Sequence, residues 1–238
     1  MKKYLLIWLL FTYCAVLTWC VCNNNLTISS STWNLTTDNN LNYNNSPYYI
    51  SHDFYNMSSS WSLHILNNYK PIQQTTEYSC GCAALLSIFN YYWIDEYNEM
   101  DICKHIWTSE LTGSSPDWII SFINKIWLNN FHHAAEDYFF SSPEDFEDYL
   151  IVKLDSWFVT LVDWLDYGWH WQAIIWLDTM WTDDIYDDVL IMADSLDDTD
   201  HNQDWYYITP FARFFYMREE ASFTETKYKQ PFITIFPK

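Results

Sequence analysis

The sequence predicts an α+β domain in which helices come first and a mostly antiparallel sheet follows. Three observations carry this. Helical signals occupy about 80–92, 97–106, 116–128 and 143–151, ahead of strand signals at about 157–164, 171–177, 189–193 and 205–208 and a short run at 232–236. Two of the helices open with the same device, Ser114-Ser115-Pro116-Asp117 and Ser141-Ser142-Pro143-Glu144, serine ahead of a proline at or near the first helical position. The chain has 238 residues, enough for one domain plus appendages, and no internal repeat divides it. Helices stacked against a sheet give two lobes with a cleft between them.

The chain begins with an export signature. Lys2 and Lys3 precede an apolar run from Tyr4 to about Trp19, too short for a confident membrane span and right for a secretory leader. Leu17-Thr18-Trp19-Cys20 ends it and differs from a bacterial lipoprotein signal only at Trp19, so Cys20 is the candidate for lipidation. Residues 23–60 are rich in Asn, Ser, Thr and Tyr, the composition of a flexible spacer. The expected organisation is a leader over 1–19, a spacer over 20–65 and a folded domain over 66–238. An extracellular or surface location follows, with the membrane met through an N-terminal lipid.

Charge narrows the partners. Acidic residues number 31 against 11 basic, a net charge of −20. Nucleic acid is excluded as a partner, because phosphate binding needs a basic surface. The cysteines form no disulfide framework: Cys14, Cys20 and Cys22 lie in or at the end of the leader, Cys80–Cys82 is too tight for an ordinary bridge, and Cys80, Cys82 and Cys103 cannot all pair. No Cys/His cluster has zinc-ligand spacing, and His132-His133 stands without partners. Asp200-x-Asn202-x-Asp204 resembles the first half of a calcium loop, but Phe211 stands where the bidentate acid belongs, so a solvated turn is the preferred reading. No cofactor is expected.

The chemistry starts at Cys80. It follows Gln74-Thr75-Thr76-Glu77-Tyr78-Ser79 and opens the apolar segment Ala83 to Tyr92, which places a thiol at a helix start. The positive end of the helix dipole favours thiolate there. A backbone N–H and the Gln74 amide can together hold a developing oxyanion. The segment 158–178 supplies an apolar strand, a polar break and then His170 opening a second strand; Val189-Leu190-Ile191-Met192-Ala193 ends at Asp194. Cysteine as nucleophile, histidine as base and a carboxylate fixing its tautomer can meet at one sheet edge. Taken singly, each has a plainer reading as core filler, satisfied core histidine or turn former.

Together these residues resemble the papain-like cysteine peptidases of the C39-like type, whose pattern is Q-x5-CG…GHW…ADP. The resemblance covers roughly residues 68 to 217, and Gln74, Cys80, His170 and Asp194 match its functional positions one by one. Cys82 and Ser195 stand where that family usually has proline. The resemblance implies a papain-like fold and peptide-bond hydrolysis, with Gly81, Ser114, Ser115, Trp169 and Trp171 as cleft candidates. The expected substrate is a peptide or protein, and the expected working unit a monomer. The chain carries no P-loop and no further membrane span, so fusion to an exporter is not expected. Two other readings stay open: an inactive surface binding or adhesion module, and an acyl transferase or amidase using the same thioacyl chemistry.

One feature of composition bears on all of this. The chain has 15 tryptophans and 3 glycines, where about 17 glycines are ordinary for its length. Tryptophan stands where a helix end or turn wants glycine at Trp93, Trp127, Trp181 and Trp205, where the family pattern wants it at Trp169 and Trp176, and in the leader at Trp19. A source that decodes UGA as glycine, read with a table that decodes it as tryptophan, leaves this signature. The suspects are Trp19, Trp93, Trp107, Trp118, Trp127, Trp157, Trp169, Trp176, Trp181 and Trp205, and ten conversions bring glycine to thirteen. Trp164 and Trp171 read as genuine, because the family favours aromatics beside its histidine. The competing reading is a real tryptophan-rich protein.

Overall fold

Helix starts are set by short side chains. Asn98 caps the helix Glu99–His105 by accepting the Asp101 N–H at 3.0 Å, and Ser142 caps Pro143–Asp155 by accepting from Asp145 at 3.2 Å. Both carry acidic residues in the first turn and basic ones in the last, matched to the helix dipole. The helices are α1 (Cys80–Tyr91), α2 (Glu99–His105), α3 (Pro116–Ile123), α4 (Pro143–Asp155) and α5 (Phe211–Ala221). The strands are β1 (Leu63–Ile65), β2 (Leu128–His133), β3 (Val159–Leu165), β4 (Trp169–Asp178), β5 (Val189–Ala193), β6 (Tyr206–Pro210) and β7 (Phe232–Pro237). This computed structural model describes residues 52–126, 128–133, 140–165, 168–198, 204–221 and 231–238. All belong to one unit, His52–Lys238. The leader, Cys20, Trp19, Trp127, Asp200 and Asn202 lie outside the described residues.

The strands form one antiparallel sheet in the order β2-β7-β3-β4-β5-β6. β1 pairs with the far half of β4, from Trp176 to Asp178. The α+β expectation therefore holds. β4 shifts register against β5 between Ile174 and Trp176, a local irregularity in its middle. α1 packs on β4 and α2, and its residues from Cys80 to Phe89 are buried except Leu86, so it is an interior helix. The Tyr92 hydroxyl follows it, donating to the Ile235 carbonyl at 2.8 Å and accepting the Val159 N–H at 3.1 Å. That bond ties the end of the cysteine helix to the sheet.

The structure corrects several sequence expectations. The spacer set at 20–65 overruns the domain: Phe54, Leu63 and Ile65 are core residues, and β1 is a strand of the sheet. The third helix ends at Ile123 rather than 128, since Leu128–His133 pairs with β7. The tail, which matched no pattern beyond a short run, supplies β7 between β2 and β3. α5 was missed because its inward stripe, Phe211, Phe214, Phe215 and Arg218, is broken by a charge. The Arg218 guanidinium is buried over the Phe146 and Phe214 rings, 4.9 and 5.3 Å from their centroids. A disulfide joins Cys82 on α1 to Cys103 on α2, where cysteine spacing alone indicates no framework.

Candidate active site

Cys80 is the first residue of α1, so its backbone N–H has no acceptor within the helix. It is buried and is the free cysteine among the described residues. The preceding loop is pinned by Ser79, whose hydroxyl accepts the Thr76 N–H at 3.1 Å and donates to the Thr76 carbonyl at 3.0 Å. Gly81 has a packing reason to be glycine. A Cβ there would lie 2.6 Å from Ser114 Oγ and 2.7 Å from its Cβ. The helix start can thus seat against the 112–116 loop.

His170 is the second residue of β4, opposite Trp164 on β3. Its Nε2 lies 2.7 Å from Asp194 Oδ1, and Cys80 lies near enough to the imidazole to help raise its pKa. Asp194 follows β5 directly and is fully buried. Its Oδ1 accepts the Leu196 N–H at 2.9 Å, and its own N–H donates to the Trp205 carbonyl at 2.9 Å. Burial opposes the charged imidazole, but the Asp194 hydrogen bond and the charges of Cys80 and Asp194 outweigh it and push His170 up to about 10. Burial also raises Asp194, yet the bonds and charge from His170 win and its pKa falls below the ordinary carboxylate value. The two shifts agree on a charged His170–Asp194 pair.

Gln74 is buried beside the same loop. Its Oε1 accepts the Ser195 hydroxyl at 2.8 Å, its backbone N–H donates to the Ser195 carbonyl at 2.9 Å, and its Nε2 donates to the Thr76 carbonyl at 2.8 Å. The side chain is held between the Cys80 loop and the residue after Asp194, with a second Nε2 hydrogen still to give. Ser195, a departure from the family pattern, is one of its anchors.

A cavity of about 250 Å³ opens at Cys80, lined by Gly113, Ser114, Asp163, Trp169 and Trp171 among others. Trp171 is buried and its Nε1 donates to the Ser114 carbonyl at 2.9 Å, which ties the cleft floor to its rim. Ser115 and Pro116 also line this cavity, at the start of α3. The structure therefore puts His170 against Asp194 with Cys80 beside them, and Ser114, Ser115, Trp169 and Trp171 line the same cavity as Cys80. Asp163, a further member of the lining, is marked in the sequence only as a lone carboxylate within the apolar run Phe158 to Leu165. Of the weak calcium set only Asp204 is described, and its Oδ1 accepts the Tyr206 N–H at 3.1 Å as a turn former does. A larger hollow, about 880 Å³, lies elsewhere, lined by Tyr92, Trp93 and Trp157 among others.

No family model and no curated protein matches the chain. Among solved structures it is similar to the peptidase domain of Streptococcus ComA, a bi-functional ABC transporter involved in a quorum sensing pathway. That likeness has 15% identity and a TM-score of 0.47, over 71% of this chain and 99% of that one. It is also similar to a double glycine motif protease from an AMS/PCAT transporter in complex with the leader peptide. There the identity is 14% and the TM-score 0.44, over 70% of this chain and 90% of that one.

Proposed function

We propose that the protein is a thiol hydrolase that cleaves peptide bonds. The observation that carries this reading is a free helix-start thiol beside His170, whose imidazole is held 2.7 Å from a buried Asp194. Cys80 sulfur attacks the substrate carbonyl carbon. The carbonyl oxygen becomes an oxyanion held by the Cys80 N–H and by Gln74 Nε2. The imidazolium of His170 gives its proton to the leaving nitrogen, the C–N bond breaks, and the amine departs, leaving a thioester on Cys80. Water then attacks that thioester with His170 taking its proton, and the acid and free thiol return. Asp194 holds the ring in position and stabilises its charged form throughout.

The protein acts outside the membrane, exported by the leader over 1–19 and anchored through a lipid on Cys20, and it works as a monomer on peptide or protein substrates. The Cys82–Cys103 disulfide supports an oxidising compartment. The net charge of −20 supports a protein rather than a nucleic-acid partner. Transfer to an amine in place of water uses the same thioester, so products should be compared with and without an amine acceptor. Cys80→Ala tests the reading itself. A thiol-reactive peptide electrophile is expected to label the wild type and leave the variant unlabelled; labelling that persists in the variant refutes the assignment.

A further inference from the structure

Asp163 has an unusual position for an acid. It sits on β3 opposite Trp171, so both side chains face the same side of the sheet, and both line the cavity that contains Cys80. Its Oδ1 is shielded from solvent and has no hydrogen-bond partner, and no cation lies within ion-pair distance among the described residues. Burial raises its pKa to about 7 against the pull of His170 and Arg218. A shielded carboxyl oxygen left unpaired is destabilising, and a donor brought by a ligand removes that penalty.

Building on the peptidase reading above, we propose that Asp163 is a specificity residue that receives a lysine or arginine side chain of the substrate. The cation enters beside Cys80, lies against the Trp171 ring system and ends at the carboxyl. The protein's overall negative charge draws basic peptides toward it.

The test uses matched peptides carrying lysine or norleucine at each position flanking the scissile bond. Wild type is expected to favour lysine at one position by about tenfold or more in kcat/KM. Asp163→Asn is expected to lose that preference, the ratio of kcat/KM for lysine over norleucine falling to about one. Equal rates in wild type, or a preference that survives in Asp163→Asn, overturn the proposal. Affinity of the same peptides for Cys80→Ala separates the two readings. If wild type cleaves nothing, the peptidase reading fails, yet Asp163 is still judged by whether the lysine peptide binds about tenfold tighter; equal binding overturns it.

A different observation carries a second inference. Among the described residues, eight other than glycine have positive φ, and five of them are tryptophans: Trp93, Trp107, Trp157, Trp181 and Trp205, at φ 53 to 66°. Three of these follow α1, α2 and α4, where the next residue bonds back to a carbonyl five positions earlier: Ile94 to Phe89, Thr108 to Cys103 and Phe158 to Lys153, at 2.8, 3.0 and 2.9 Å. That is the Schellman cap, in which the left-handed position belongs to glycine. The indoles gain little by being there, since Trp93, Trp107, Trp157 and Trp181 are 92, 70, 71 and 70% exposed. Trp164 and Trp171 are buried, and each has its Nε1 bonded.

We infer that the natural polypeptide carries glycine at positions 93, 107, 157, 181 and 205, through UGA codons decoded as glycine. Position 176 joins them, since Trp176 sits at the irregularity of β4 with its buried Nε1 unpartnered. The backbone makes no such demand at Trp118, inside α3, or at Trp169. The larger hollow loses two of its walls, Trp93 and Trp157, and is no ligand site. Peptide mass spectrometry of the protein from its source is expected to find glycine at these six positions and tryptophan at 164 and 171. Tryptophan at 93 or 157, or UGG codons there, overturns the inference. A recombinant chain with the five left-handed glycines is expected to melt about 10 °C above the chain as written. An unchanged or lower Tm also counts against it.

Discussion

The helix ends and the sheet edge beside His170 use tryptophan in opposite ways. At the edge, Trp164 and Trp171 are buried, pair with His170 and Asp163 across β3 and β4, and spend their N–H groups on Gln172 and Ser114. At the ends of α1, α2 and α4, Trp93, Trp107 and Trp157 hold left-handed backbone and face solvent. The difference shows that residue type alone does not define a role. An indole fixes the cleft where packing and hydrogen bonding both use it. The same indole is strain without return where the chain only needs to turn.

Substitutions on each side test this contrast. The largest effect belongs to the edge: His170→Ala should lower kcat/KM by roughly a thousandfold or more, because the thiol loses its proton partner and the leaving amine its donor. A loss below tenfold would remove His170 from the chemistry. Next, Trp171→Ala should destabilise by about 3–5 kcal/mol in chemical denaturation, since it empties a buried site and frees the Ser114 carbonyl. Trp93→Gly should move the other way by about 1 kcal/mol. Effects of the same sign at both positions would dissolve the comparison.

The smallest effect concerns pH. The folded pKa of His170 is raised to about 10, against about 6.5 in an unfolded chain. The stabilisation it brings is full below the unfolded value and is lost as pH rises through the folded one. Wild-type Tm should therefore fall between about pH 7 and pH 10, and Asp194→Asn should flatten that fall and move it to lower pH. Parallel curves for the two proteins would show that Asp194 does not hold the imidazolium.

Much of the site was legible because its residues sit at element boundaries. Cys80 begins a helix, His170 a strand, and Asp194 ends one, and each boundary carries a polar break beside an apolar run. The strand 189–193 was legible in full for the same reason. The parts that were not legible lack local punctuation. β7 is a short apolar run between prolines whose place between β2 and β3 is decided by tertiary pairing. β2 reads as a continuation of α3, and Arg218 interrupts the stripe that would have marked α5. The Cys82–Cys103 bridge depends on how α1 meets α2, which spacing does not state. Asp163 needed the cavity before its charge had meaning.

The proposed chemistry requires a covalent acyl intermediate between Cys80 and its substrate. Acid quenching of wild-type protein during turnover of a cleavable peptide, followed by digestion and mass spectrometry, tests it directly. An acyl thioester is expected on the peptide that contains Cys80, absent from Cys80→Ala and released by added thiol. Cleavage that proceeds with no adduct on Cys80, or with an adduct on another residue, would contradict it.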